Sequence, residues 1–150
     1  TGPGRGAYFV TSNFAKQIAQ IELRLQPPKV FVGNLQAKRD FTDVRDIVKA
    51  YWLSLMHGEP GEVYNLASGT TRSIEEGLQT LLSFTDVQVG IEVDPERLRP
   101  SDVEIVLGDC SAFREKTGWA PQIPFHVTML DLLNYWRRVL RDQVKAGRNP

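Results

Sequence analysis

Apolar residues recur along this chain with two alternating periods, one helical and one strand-like, and that alternation predicts an α/β fold. Phe14, Ile18, Ile21 and Leu25 follow helical spacing, so residues 9–25 are expected to form a helix with one buried stripe, capped by Ser12 or Asn13. Pro27 and Pro28 end it and impose an extended entry into a short strand, Val30 to Val32. A turn at Gly33 and Asn34 and a charged connector then lead to a second helix. Asp43 is its expected N-cap and Asp46 an acidic partner in the first turn; Val44, Ile47, Val48, Tyr51 and Met56 mark the expected buried face. Gly58, with Pro60 beyond it, is the stop. Residues 62–67 (EVYNLA) alternate as a strand ending at Gly69. Ser73 and Glu76 have capping-box spacing and open a helix with Ile74, Leu78, Leu81 and Leu82 inside.

Val87, Val89, Ile91 and Val93 alternate with polar residues, which predicts a strand with one buried face, and Val103, Ile105 and Leu107 suggest one more. A helix is expected from Cys110 to Thr117, with Asp109 as cap and Gly118 as stop, followed by a turn around a packed Trp119. The last helix should run from Phe125 to Arg141, with Leu130, Leu133, Trp136 and Leu140 facing inward. Arg137, Arg138, Arg141 and Lys145 crowd its C-terminal end, where cations suit the helix dipole and are expected to be solvated. No repeat, low-complexity tract or linker interrupts residues 1–150, so a single domain is expected.

Charge narrows the function. Lysine plus arginine and aspartate plus glutamate number 18 each, so no overall field draws nucleic acid or an anionic membrane, and any anion site must be local. No apolar run is long enough to span a bilayer. With Cys110 alone, and His57 and His126 as the histidines, neither an internal disulfide nor a metal-type spacing exists; Cys110 reads as a packing residue and the setting as cytoplasmic. The opening TGPGRG is expected to be a connecting loop. Its G-x-G-x-G spacing, without a preceding strand, is not the dinucleotide fingerprint, although Arg5 can still reach an anion from it.

Three places carry candidate anion chemistry. Arg39 stands beside Asp40 and Phe41, which predicts a guanidinium held by a carboxylate and a ring with its free edge toward an anion. Arg99, kept out of helical geometry by Pro100, either projects into a cleft or belongs to a solvated loop. The start of the first helix, Val10 to Asn13, offers free amides to a phosphate or simply to water.

Several of these segments coincide with a family pattern: TGPGRG with FVTSNFAKQIAQIE, VGNLQAKRDFTDVRDIVKAYWL, GEVYNLASG, LRPSDV and GDCSAFREKTGWAPQIPF. They resemble the C-terminal, substrate-binding part of the extended short-chain dehydrogenases/reductases that act on nucleotide-sugars, within the NAD-dependent epimerase/dehydratase family. The nearest branch is that of the GDP-6-deoxy-4-keto-D-mannose reductases, with the GDP-mannose 4,6-dehydratases as cousins. Those cousins carry Arg-Arg after the early proline and a lysine where this chain has Asn13, so Gly4-Arg5 and Asn13 favour the reductase side. The resemblance implies an incomplete Rossmann-like fold, a small mixed sheet with packed helices. It implies a site for the GDP end of a GDP-sugar at Val10, Asn13, Gly33, Asn34, Arg39, Arg99 and Asp102. Two arginines from different loops suit a diphosphate, and an acceptor-only carboxylate suits ribose hydroxyls.

The family's catalytic Tyr-x-x-x-Lys and Gly-rich turn are not in this sequence. Four residues after Tyr8, Tyr51, Tyr64 and Tyr135 stand Ser12, Leu55, Ser68 and Val139. The expectation is therefore no catalytic or cofactor-binding residue in this chain, with NADP or NAD belonging to the full-length relatives, and weak binding of a GDP-sugar. A separately encoded cofactor domain is one expected partner; the rival expectation is a non-catalytic module that self-associates through apolar surface its relatives would cover.

Overall fold

The computed structural model describes residues 1–98 and 103–147. In chain order they form α1 (Val10–Glu22), β1 (Lys29–Val32), β2 (Lys38–Asp40), α2 (Val44–His57), β3 (Thr71–Ser73), α3 (Ile74–Leu82), β4 (Gly90–Val93), a 3-10 turn (Pro95–Arg97), β5 (Ile105–Val106), α4 (Ser111–Thr117) and α5 (Phe125–Lys145). β1 and β4 pair in parallel, Val30 opposite Ile91. The second sheet runs β3-β2-β5, antiparallel on the β3 side and parallel on the β5 side. This is the α/β architecture of small mixed sheets and packed helices.

Two cores hold it together. The larger gathers Phe14 and Ile18 of α1, Val30 and Val32 of β1, Leu78 and Leu81 of α3, and Met129, Leu132, Leu133 and Leu140 of α5. The smaller, between α2 and α4, consists of Ala50, Ala67, Cys110, Phe113 and Trp119, with the Phe113 ring 5.6 Å from Tyr64 and 5.8 Å from Trp119. The Ser73–Glu76 capping box forms in both directions, and Gly118 ends α4 in the left-handed conformation at φ 69°.

Several expectations need correction. α1 stops before Leu25, which is exposed, and its N-cap is Phe9; Ser12 and Asn13 lie inside the helix, where their side chains bond back to Arg5 O and Ala7 O. Asp43 does cap α2, but the helix is rotated from the expected face. Asp46 and Ala50 are buried and Leu53 packs on the smaller core, whereas Val44, Val48, Tyr51, Trp52, Leu55 and Met56 are exposed. Buried polar bonds from Asp43 and Asp46 fix that rotation, and a purely apolar count misses them. Residues 62–67 form no strand: among the described residues no hydrogen-bonded ladder pairs them, although Ala67 lies against Gly108.

β4 is confined to Gly90–Val93 and has no buried face; β5 is likewise exposed and only two residues long. Asp109 caps from one residue outside α4, its Oδ1 accepting from the Ser111 amide and hydroxyl. α5 extends to Lys145, with Met129 and Leu132 joining the inward face and Leu130 only partly covered. Arg137 is not a solvated cation: it is ion-paired with Glu22 across to α1, bonding Oε1 at 2.5 Å and Oε2 at 2.7 Å, and donates to Phe84 O.

Candidate functional site

The N-terminus of α1, the end of β1 and the strand β2 converge on a cavity of about 600 Å³. Five of the residues anticipated from the sequence line it: Val10, Asn13, Gly33, Asn34 and Arg39. Arg99 and Asp102 lie outside the described residues. A second cavity of about 560 Å³, reached by Arg5 and Asp40, shares Phe9, Val10 and Arg39 with the first. The two form a groove with Arg39 in their common wall.

Each side chain is set by its element. Arg39 sits mid-strand in β2, opposite Arg72 and Val106. Its NH1 donates to Lys38 O (2.8 Å) and Glu104 O (3.4 Å), so backbone carbonyls hold it, not Asp40 as anticipated. Successive strand residues point to opposite faces. Asp40 accordingly turns away to accept from Thr42 Oγ1 and from the Ser68 and Gly69 amides, while Phe41 packs on the Phe125 ring at 5.6 Å.

Gly33 permits a close approach: a Cβ there would stand 2.5 Å from Arg97 O. Asn34 Oδ1 accepts from Gln36 N and shapes the turn. Asn13 is held by protein, its Nδ2 donating to Ala7 O (3.1 Å) and its Oδ1 accepting from Gln17 Nε2 (2.7 Å) and Arg97 NH1 (2.9 Å). Arg5 lies over the Phe9 ring, its guanidinium carbon 3.6 Å from the centroid, and burial lowers its pKa from the ordinary guanidinium value.

Two contributors went unrecognised in the sequence. Gln17 is buried and bonds both backbone groups of Phe31, accepting from N (2.8 Å) and donating to O (3.0 Å), as a neighbouring strand would. The available signal was the i, i+4 spacing of Asn13 and Gln17 beside an apolar stripe. Arg97 lines the cavity from the 3-10 turn and had been passed over for Arg99.

The first turn of α1 carries no side-chain cap and no acidic residue, so its amides open toward the groove with the positive end of the helix dipole. The lining combines Arg39 and Arg97 with Phe9 and Phe31, a surface suited to an anion attached to a flat ring. Among the described residues no cluster of three or more His, Cys, Asp or Glu is placed to hold a metal. Among the described residues, too, no helix is long and apolar enough to cross a membrane. The sequence has no strand, glycine-rich turn and helix unit to fit a dinucleotide. A further cavity, about 750 Å³, lies at the far end of α5, where Arg137 is already paired with Glu22.

A model of the family described as GDP-mannose 4,6 dehydratase matches residues 1–132. The chain belongs to this family. The GDP-6-deoxy-D-mannose reductase of Pseudomonas aeruginosa is 35% identical over 142 residues, which cover 95% of this chain and 47% of the relative. The human GDP-mannose 4,6 dehydratase is 30% identical, over 96% of this chain and 43% of its own length. Among solved structures, RMD from Pseudomonas aeruginosa complexed with NADPH superposes with a TM-score of 0.86 at 34% identity, over 92% of this chain and 46% of that one. This member of the GDP-mannose dehydratase family therefore spans about half the length of the curated relatives it matches. The short-chain dehydrogenase resemblance and the α/β fold it implied stand on these matches.

Proposed function

We propose that residues 1–150 act as one substrate-binding domain whose groove takes the nucleoside-diphosphate end of a GDP-linked deoxyhexose. The observation that carries this reading is the convergence of Val10, Asn13, Gly33, Asn34 and Arg39 on one cavity beside the uncapped start of α1. Arg39 supplies a charged donor, the α1 amides supply neutral ones, and Arg99 and Asp102 are assigned to the same ligand. Working with a half that binds NAD(P)H, from further sequence or a separate chain, the groove would present a 4-keto sugar for reduction. Residues 1–150 by themselves have no proton donor of the Tyr-x-x-x-Lys type and are assigned binding, not turnover. The single, buried Cys110 fits a cytoplasmic setting.

Calorimetric and thermal-shift titrations with GDP, ADP and UDP test the reading. GDP should stabilise the chain at millimolar concentration, and Arg39→Ala should weaken that binding by about tenfold, the scale of one charged hydrogen bond. No response to any of the three at such concentrations overturns it.

A second reading, a self-associating module, is favoured by one observation. Trp52, Leu55 and Met56 on α2 are 64%, 81% and 58% exposed, and Val63 nearby in sequence is 89% exposed. Exposed apolar stripes of this kind are covered in stable assemblies. Light scattering should then show a dimer or larger species that Leu55→Glu returns to monomer; a monomeric parent chain refutes it.

A further inference from the structure

A second cation, Arg97, faces the groove from the short segment after β4. Arg97 closes the 3-10 turn Pro95–Arg97, which is anchored at its start and closed by its own bonds. The Asp94 amide donates to Val32 O at 2.8 Å, tying it to β1, and Arg97 N donates to Asp94 O at 3.0 Å. Asp94 Oδ1 accepts from Glu96 N at 3.0 Å. The side chain is held at two points, Nε donating to Asp94 Oδ2 (2.9 Å) and NH1 to Asn13 Oδ1 (2.9 Å).

A guanidinium carries five N–H donors in a rigid fork. With Nε and one NH1 proton engaged, the whole NH2 group has no protein acceptor among the described residues, and the side chain is 40% exposed. Arg39 and Arg97 line the same cavity, with Glu96 as the one carboxylate among its described lining residues. A fork fixed beforehand loses less conformational entropy when it grips an anion.

We infer that Arg97 is a second phosphate-binding donor of this groove, presenting its NH2 edge to a nucleoside diphosphate, and that Asn13 is the positioning residue that aims it. This rests on the nucleotide reading of the groove and changes the role of Asn13. Its Oδ1 accepts from both Gln17 and Arg97, so the Asn13 carbonyl acts on the ligand through Arg97. The charge comes from the 3-10 turn and the aim from α1. Gly33 makes the arrangement possible, because any side chain there would push the turn away from the groove.

The test measures guanosine, GMP and GDP affinities for the parent chain and for Arg97→Ala, Arg97→Lys, Asn13→Ala and Arg39→Ala. Arg97→Ala should cost about tenfold in GDP affinity while leaving guanosine unchanged, since the lost interaction is with phosphate. Arg97→Lys, which keeps the charge without the fork, should fall between the two, and Asn13→Ala should lose part of the GDP increment alone. A merely structural role would instead weaken all three ligands together, and that result overturns the proposal. Should Arg97→Ala fail to fold, Arg97→Lys decides on the same criterion. A parent chain that prefers GDP to guanosine, loses that preference in Arg39→Ala and keeps it in Arg97→Ala refutes the role of Arg97 and leaves the groove reading intact. A parent chain that binds no GDP overturns both.

Discussion

Asp46→Ala is expected to lower the unfolding free energy by roughly 3 kcal/mol, because it strips the acceptor from two amides that have no other protein partner among the described residues. Asp46 is fully buried, and its Oδ2 accepts from Gln122 N (3.0 Å) and Ile123 N (2.9 Å), clamping the turn before α5 onto α2. The same turn begins at Trp119, whose Nε1 donates to Asp46 O at 3.2 Å. The other carboxylate oxygen makes no hydrogen bond, and its nearest cation, Lys49, stands 3.7 Å away. Asp46→Asn keeps an acceptor for both amides and removes the poorly compensated charge, so it should cost no more than about 1 kcal/mol. Urea unfolding followed by tryptophan fluorescence separates the two variants. Equal midpoints for Asp46→Ala and the parent chain would show that the clamp carries no stability.

Acid should weaken the molecule through Asp43. Burial alone would raise its carboxyl, but the Arg45 side chain, the Thr128 hydroxyl and the Arg45 amide outweigh burial and hold its pKa at about 2. The folded value lies below the unfolded one, so this group stabilises the fold above the unfolded carboxylate range and loses that contribution as pH falls from about 4 through 2. The amount is roughly 2 kcal/mol. Asp43→Asn preserves a cap for α2 while removing the charge, so at neutral pH it should already be less stable by about that amount, with a shallower decline in acid. Glu22, paired with Arg137, also has a lowered pKa, so some slope should remain. Urea midpoints across the acid range for both proteins check this, and identical pH profiles would remove Asp43 from the account.

The helices were legible because their signals are local. The Phe14, Ile18 and Ile21 stripe, the Ser73–Glu76 box and the Gly118 stop each depend on residues within one or two turns. What escaped depends on distant partners. Residues 62–67 have strand alternation, but a strand exists only beside another. The face of α2 was misassigned because Asp43 bonds Thr128, 85 positions away, and Asp46 bonds residues more than 70 positions on. In the groove, the family pattern pointed to five lining residues now seen together, yet gave no reason for Gly33 and no hint of Gln17 or Arg97. Those reasons lie in contacts among α1, β1 and the 3-10 turn that no spacing rule encodes.

The cavity lined by Arg39 and Arg97 draws its walls from elements that pack into the larger core, while Ala50, Cys110, Phe113 and Trp119 form a core of their own. Mutations fixed over evolutionary time around α4 therefore have room to accumulate without moving the ligand-facing residues, provided that Asp43 and Asp46 persist. Two carboxylates set the boundary between the part of this sequence free to drift and the part that is not.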